Sequence, residues 1–254
     1  ESYLIQKFAR TVINTNNVDT TSNIRPELFD QAREYLGIEA VTNPMSDLES
    51  ANTVIVINSN ITEDHNVMAI PIKKGHKSGN KLIIIDSREV ELTRYADIWL
   101  RPLPRTELIL IGGILRVILD ESIENAEFMT KYCKNSSALR RSLWDCDLVM
   151  VQRLTGVQKS DIQRAARTFA TNGIGAIVYA LDNILGTEAN ELVKAILDLS
   201  LVTGNIDKKF GGIYPLSPGT NDQGARDMGC NPSMLPGQIK IDNIEGKDVL
   251  EKIW

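Results

Sequence analysis

The chain alternates between short apolar runs and longer amphipathic ones. Residues 53–57 (TVIVI), 81–86 (KLIIID) and 175–181 (GAIVYAL) are apolar, largely β-branched and bounded by polar or glycine residues. Such runs predict strands buried on both faces. A further short strand is expected within 93–100 (TRYADIWL). Helical spacing covers 2–13, where Tyr3, Leu4, Phe8 and Val12 recur on one side. It returns over 26–37, with Pro26 in the first turn and Gly37 at the end. A helix through 65–77 is expected to be kinked or delayed by Pro71. Further helices are expected over 106–121 with Thr106 as N-cap, over 157–172 with Ser160 as N-cap, and over 190–205 closed by Gly204. Residues 122–150 predict smaller helices with a charged surface. From Asn205 to Gln238 periodicity gives way to Gly, Pro, Asn and Asp, the pattern of a long functional loop. The order of elements predicts an α/β fold: a three-layer sandwich around a mostly parallel, Rossmann-like sheet.

Composition narrows the functional classes. With 254 residues, 43% hydrophobic and 24% charged, the chain is globular, with room for one large domain or two small ones. A net charge of −5 gives no general attraction to nucleic acid or anionic membrane, and neither is expected as a partner. The longest apolar runs, 53–57 and 108–119, fall short of the roughly 20 residues that span a bilayer, so no direct membrane insertion is expected. Three cysteines (Cys133, Cys146, Cys230) and two histidines exclude a disulfide scaffold, a four-cysteine iron–sulfur site and a zinc finger. Sparse cysteine fits a reducing compartment, and a cytoplasmic location is expected. His65 and His76 lie about three helical turns apart, too far to chelate one metal. The sequence opens inside a helical pattern, so it is expected to be part of a longer protein.

Three places carry residues suited to binding. Asn58, Ser59 and Asn60 follow the first strand. In a doubly wound sheet ligands sit beyond the carboxyl ends of the strands, where a polar turn offers backbone N–H groups to phosphate, or serves only as a turn. Asp86 ends the second strand, with Arg88 after it. Its carboxylate either accepts from ribose hydroxyls or a base edge, or caps a turn. Residues 219–229 (GTNDQGARDMG) combine amide-type donors and acceptors with glycines. They suit a flat ligand such as a pterin or purine, or form a structural loop.

Several runs resemble the large subunit of molybdopterin-dependent oxidoreductases, most of all formate dehydrogenase alpha subunits. They are SYLIQKFAR (2–10), TNNVD (15–19), ANTVIVINSNITEDHNV (51–67), KLIIIDSREVELTRYADIWLRPLPRTE (81–107), LSLVTGNID (199–207), GGIYPLSPGTNDQGARDMGCNP (211–232) and LPGQ (235–238). The resemblance runs in order through nearly the whole chain. It implies a fold like domains 1–3 of the formate dehydrogenase and DMSO reductase group. Residues 40–180 would form a central dinucleotide-binding α/β domain. Residues 1–39 would belong to the neighbouring α/β domain, and 181–254 would return into it with a cofactor-facing loop. It also implies molybdopterin guanine dinucleotide with Mo or W, and an iron–sulfur cluster in a preceding segment. The remainder of the subunit and iron–sulfur electron-transfer subunits would be the partners. By motif, Asn58, Ser59 and Asn60 would line one dinucleotide's phosphates. Asp86 and Arg88 would meet its guanosine end, with Thr106 and Glu107 nearby. Asn221, Gln223, Gly224 and Asp227 would face the cofactor of the other domain.

Three positions depart from the family pattern. The metal-ligating cysteine or selenocysteine and the histidine after it are replaced by Arg25 and Pro26. A protonated guanidinium is no ordinary metal ligand, and proline carries no acid–base group, so no catalytic side chain is assigned. The family's Gly-Thr-Asp is Arg105-Thr106-Glu107, and a Gln- and His-bearing segment is shortened to ALDNILGT (180–187). The resemblance therefore supports two readings. One is a formate dehydrogenase-like oxidoreductase passing two electrons from a small substrate to iron–sulfur centres. The other is a structural subunit of a complex I-like or hydrogenase-like assembly that has lost the pterin.

Overall fold

The computed structural model describes residues 1–24, 27–181 and 184–254. Along the chain they form α1 (Ser2–Thr11), α2 (Glu27–Leu36), β1 (Thr53–Ile57), α3 (Ile61–Asp64), α4 (Asn66–Lys77), β2 (Lys81–Ile85), β3 (Ile98–Leu100) and α5 (Glu107–Asp120). Then come α6 (Ala126–Tyr132), α7 (Ser136–Ser142), α8 (Leu148–Thr155), α9 (Lys159–Thr171), β4 (Gly175–Tyr179) and α10 (Gly186–Val202). The last elements are β5 (Gly212–Pro215), α11 (Asp222–Asp227), β6 (Met234–Leu235), β7 (Ile239–Lys240) and α12 (Ile244–Ile253).

Strands β1 to β5 form one parallel sheet in the order β3-β2-β1-β4-β5. Alternate side chains go to opposite faces. Ile55, Ile57, Ile83, Ile85, Ile177 and Tyr179 join a core with α5, α9 and α10. Val54, Val56, Leu82, Ile84, Ala176 and Val178 join a second core with Ala69 and Ile72 of α4. Both faces are covered, so the strands need no polar alternation, and the expected three-layer α/β architecture is what forms.

Contacts divide the chain into two compact units, Glu27–Leu216 and Glu1–Pro26 with Ser217–Trp254. The expected central domain of 40–180 is thus extended at both ends. Helix α2 packs with α10, where Gln31 Nε2 donates to Asn190 Oδ1 (3.2 Å). Buried Tyr179 donates its hydroxyl to Leu28 O (3.0 Å). Strand β5 closes the sheet's other edge beside β4.

Local expectations fared unevenly. Residues 205–238, read as one irregular loop, contain β5, α11 and β6. β5 is only four residues long and begins at glycine, too short for a period to register. Helix α4 is continuous across Pro71. The carbonyl that loses its donor there belongs to Val67, an exposed residue. Gln158, not Ser160, precedes α9. Thr106 sits at the N-cap of α5, but its hydroxyl turns back to Leu103 O (2.7 Å) instead of capping. The Thr-Gly-Asn run at 203–205 has a specific task. Gly204 is left-handed (φ +65°), and buried Asn205 accepts from Gly175 N (2.9 Å) while donating to Thr203 Oγ1 (2.8 Å). The end of α10 is thereby pinned to the start of β4.

Asp198 on α10 is a strongly perturbed carboxyl of the sheet unit. Burial, reinforced by Glu191 and opposed by Lys194, pushes it up to about 6. A carboxyl raised on folding contributes stability below its unfolded value near 3.8, and that contribution is lost as pH rises through about 6. Asp198→Asn is expected to match the parent near pH 4 and exceed its stability by about 2 kcal/mol near pH 8, the group being partly solvated. Urea midpoints across that range check it; parallel pH profiles for the two proteins would contradict it.

Candidate functional site

The carboxyl edge of the sheet collects the first group of candidate residues. Strand β1 lies between β2 and β4, so its carboxyl end is where the order of strands reverses direction. The chain leaves β1 through Asn58 in a left-handed conformation (φ 51°), whose N–H donates to Ile85 O (2.8 Å). Asn58 and Ser59 are buried and Asn60 is half-buried. The carbonyl of Asn60 takes the N–H groups of Glu63 and Asp64 (2.9 and 3.0 Å), and its Oδ1 accepts from Thr62 Oγ1 (3.1 Å). The four successive N–H groups of Ser59 to Thr62 have no acceptor among the described residues. A run of backbone donors at a strand's carboxyl end is suited to a phosphate.

Asp86, one strand over, is fully buried and already engaged. Its Oδ1 accepts from Arg88 N (2.8 Å) and Nε (3.1 Å), its Oδ2 accepts from Arg88 Nη2 (3.1 Å), and its carbonyl accepts from Trp99 Nε1 (3.0 Å). Of the two roles open to it from sequence, the structure displays the turn-capping one. The Arg88 side chain that closes over the carboxylate is itself half-exposed.

Glu107 opens α5, is buried, and its Oε2 has no partner among the described residues. Burial holds its carboxyl above the usual range, and the charges of Asp86 and Glu188 push the same way. A buried carboxyl oxygen without a partner is a hydrogen-bonding atom left open to the edge of a purine or pterin. Arg105, left-handed at φ 67°, forms an ion pair with Glu188 in the first turn of α10 (Nε to Oε2, 3.2 Å).

The second group belongs to the other unit. Asn221, left-handed at φ 60°, precedes the six-residue α11. Asp222 accepts from Ser217 Oγ and from Gly219 N (2.9 Å). Gln223 Nε2 and Gln238 Nε2 both donate to Asp227 Oδ1 (2.9 and 2.6 Å), and Gly237 N donates to Asp227 O (2.8 Å). Gly224 packs on Asn221, whose amide would lie 2.5 Å from a Cβ at that position. These residues largely bind one another; the buried Oε1 of Gln223 is left without a partner among the described residues.

Arg25 and Pro26 lie outside the described residues, as do Asp182 and Asn183 of the shortened 180–187 segment. His65 sits between α3 and α4, and His76 contacts Asn80 O through Nδ1 (3.3 Å). No group of three or more His, Cys, Asp or Glu suited to a metal occurs among the described residues.

Sequence reasoning missed Arg10. It donates to Asn16 Oδ1, Gln6 Oε1, Gly229 O, Asn231 O and Met234 O at 2.7–2.9 Å, tying α1 to β6 and the loop before it. The one signal was Gln6 and Arg10 at i, i+4 opposite the apolar stripe. The Arg105–Glu188 pair was also missed, since nothing in sequence joins positions so far apart.

The family profile for Molybdopterin oxidoreductase matches residues 1–248. The chain is 34% identical over 256 residues to the F420-dependent formate dehydrogenase 2 subunit alpha of Methanococcus maripaludis, covering all of this chain and 37% of the relative. It is 30% identical to the assimilatory nitrate reductase catalytic subunit of Bacillus subtilis, covering all of this chain and 36% of the relative. The acetylene hydratase from Pelobacter acetylenicus shares the fold, with a TM-score of 0.69 over 82% of this chain and 28% of that one, at 22% identity. The chain therefore spans little more than a third of these curated relatives. With a profile match over nearly its whole length and the parallel α/β architecture to accompany it, the chain belongs to the molybdopterin oxidoreductase family.

Proposed function

We propose that this chain is the central cofactor-holding portion of a formate dehydrogenase-like subunit. It would bind molybdopterin in its guanine dinucleotide form, with Mo or W. The observation that carries the reading is the run of unpaired N–H groups from Ser59 to Thr62 at the point where strand order reverses. These amides and the buried Asn58–Ser59 turn hold a phosphate of the dinucleotide. Glu107 Oε2 supplies a buried, unsatisfied polar atom for its base end, with Asp86 and Arg88 alongside and Thr106 at the helix entrance. In the other unit Asn221, Gln223, Gly224 and Asp227 present an amide-rich surface, with the free Gln223 Oε1 available to a pterin-like edge. The bound metal supplies a two-electron step on a small substrate. The protein's part is to orient the cofactor and exclude water. Arg25 and Pro26 contribute neither a thiolate or selenolate ligand nor a proton acceptor.

Electrons would pass to an iron–sulfur cluster outside residues 1–254 and to partner iron–sulfur subunits. We place the protein in the cytoplasm, a reading that its three free thiols suit. No helix among the described residues is long and apolar enough to cross a membrane. The relatives, named for formate dehydrogenase and nitrate reductase, lend no support to a structural subunit without cofactor.

Analysis of the full-length protein for metal, pterin and acid-released GMP tests the reading. About one Mo or W per chain with matching pterin and GMP is expected. Pterin without GMP would overturn the dinucleotide form. Absence of both metal and pterin from protein made in a cofactor-producing host would overturn cofactor binding.

A further inference from the structure

Helix α1 has its sides reversed. Its one buried side chain is polar, Gln6, whereas Leu4, Ile5, Phe8 and Val12 are between 54% and 67% exposed. At 3.6 residues per turn these four fall within about 100° of arc, and Gln6 and Arg10 lie opposite. The three hydrogen bonds of Arg10 to the carbonyls of Gly229, Asn231 and Met234 fix that orientation, because rolling the helix to bury its apolar arc would break all three. Helix α12 joins α1 through Trp254 Nε1, which donates to Tyr3 Oη (2.9 Å). It buries no residue, and Ile244, Val249 and Ile253 are between 54% and 75% exposed.

The unit that holds both helices is poor in core. Its buried apolar side chains among the described residues are Val18, Cys230 and Leu235. A polar interior with an apolar exterior cannot be stable alone in water, and clustered apolar exposure of this kind marks a surface that is covered. Folding would otherwise lack the burial needed against chain entropy. The length of the relatives supplies the cover: this chain matches 38% of the alpha subunit from Methanocaldococcus jannaschii and 37% of that from M. maripaludis.

We propose that the apolar arcs of α1 and α12 are an intramolecular docking face, covered by a further segment of the same polypeptide outside residues 1–254. That segment presents an apolar layer of its own, so that the two together make one core. The inference does not depend on the cofactor.

The test replaces Phe8 by the photo-cross-linking residue p-benzoylphenylalanine in the full-length protein and maps the product by mass spectrometry. Cross-linking to a peptide of the same chain beyond residues 1–254 is the expected result. A cross-link within 1–254, to a second copy, to another subunit, or no cross-link at all would overturn it. A second measurement needs no photochemistry. Native maleimide labelling of Val12→Cys, read at its own peptide, is expected to be at least about tenfold slower than that of Asn17→Cys on the exposed loop. Equal rates would also overturn the proposal.

Discussion

Gly175→Ala is expected to destabilise the sheet unit by about 3 kcal/mol, measured by urea denaturation. Strand propensity alone argues the other way, since glycine inside a strand costs roughly 0.5–1 kcal/mol relative to alanine. Packing decides the sign. A Cβ at Gly175 would lie 2.4 Å from Phe169 Cε2 and 2.9 Å from Asn205 Nδ2. Both neighbours are buried, and Asn205 is held by its own hydrogen bonds to Gly175 and Thr203. Neither gives way without losing core contact or leaving a buried amide unpaired. Adding Phe169→Leu to Gly175→Ala is expected to recover part of the loss, although Phe169→Leu alone destabilises, because the two sites share one volume. A neutral or stabilising Gly175→Ala would show that β4 and α9 are not packed as described.

The second large effect concerns the proposed cofactor. Asn60→Pro removes one N–H from the run at the end of β1; Asn60 has φ −92°, so the ring asks the backbone to turn by roughly 10–25°. A hydrogen bond to a charged group contributes about 1.5–3 kcal/mol. Retention of the dinucleotide is therefore expected to fall about tenfold to a hundredfold, with the melting transition of the cofactor-free protein little changed. Asn60→Ala keeps the N–H and loses only the contact with Thr62, so its cofactor content should stay near that of the parent. Full retention in Asn60→Pro would remove the phosphate from this turn. Equal loss in both variants would move the interaction from the backbone to the side chain.

What could be read from the sequence follows from the physics of each element. The strands at 53–57, 81–85 and 175–179 announce themselves because both faces are buried, so that every position except the partly exposed Lys81 and the buried Thr53 and Tyr179 is aliphatic or glycine. The short β5 does not, because four residues carry no usable period and its identity comes from pairing with β4, some 36 residues earlier. The turn at Asn58–Asn60 was legible as a place but not as a geometry; its unpaired amides appear only once the Asn60 carbonyl is seen taking Glu63 and Asp64. Asp86 was legible as a chemical group, yet its local closure by Arg88 depends on side-chain direction. Arg10 was silent, since its acceptors are backbone carbonyls, which sequence does not distinguish. The cysteine and histidine counts excluded whole classes of site with little effort, because a metal cluster requires particular atoms in particular numbers.

The Arg10 hub also sets an order of events during synthesis. Gly229 O, its nearest partner in the later segment, lies 219 residues downstream. At about 5–20 residues per second, α1 leaves the ribosome roughly ten to forty seconds before its acceptors exist. Throughout that interval the polar side of the helix lacks its anchors. The sheet unit, whose elements all lie in the intervening 27–216, can complete itself first. Slowing translation ahead of residue 229 should therefore lengthen chaperone contact with α1 while leaving the sheet unit unaffected.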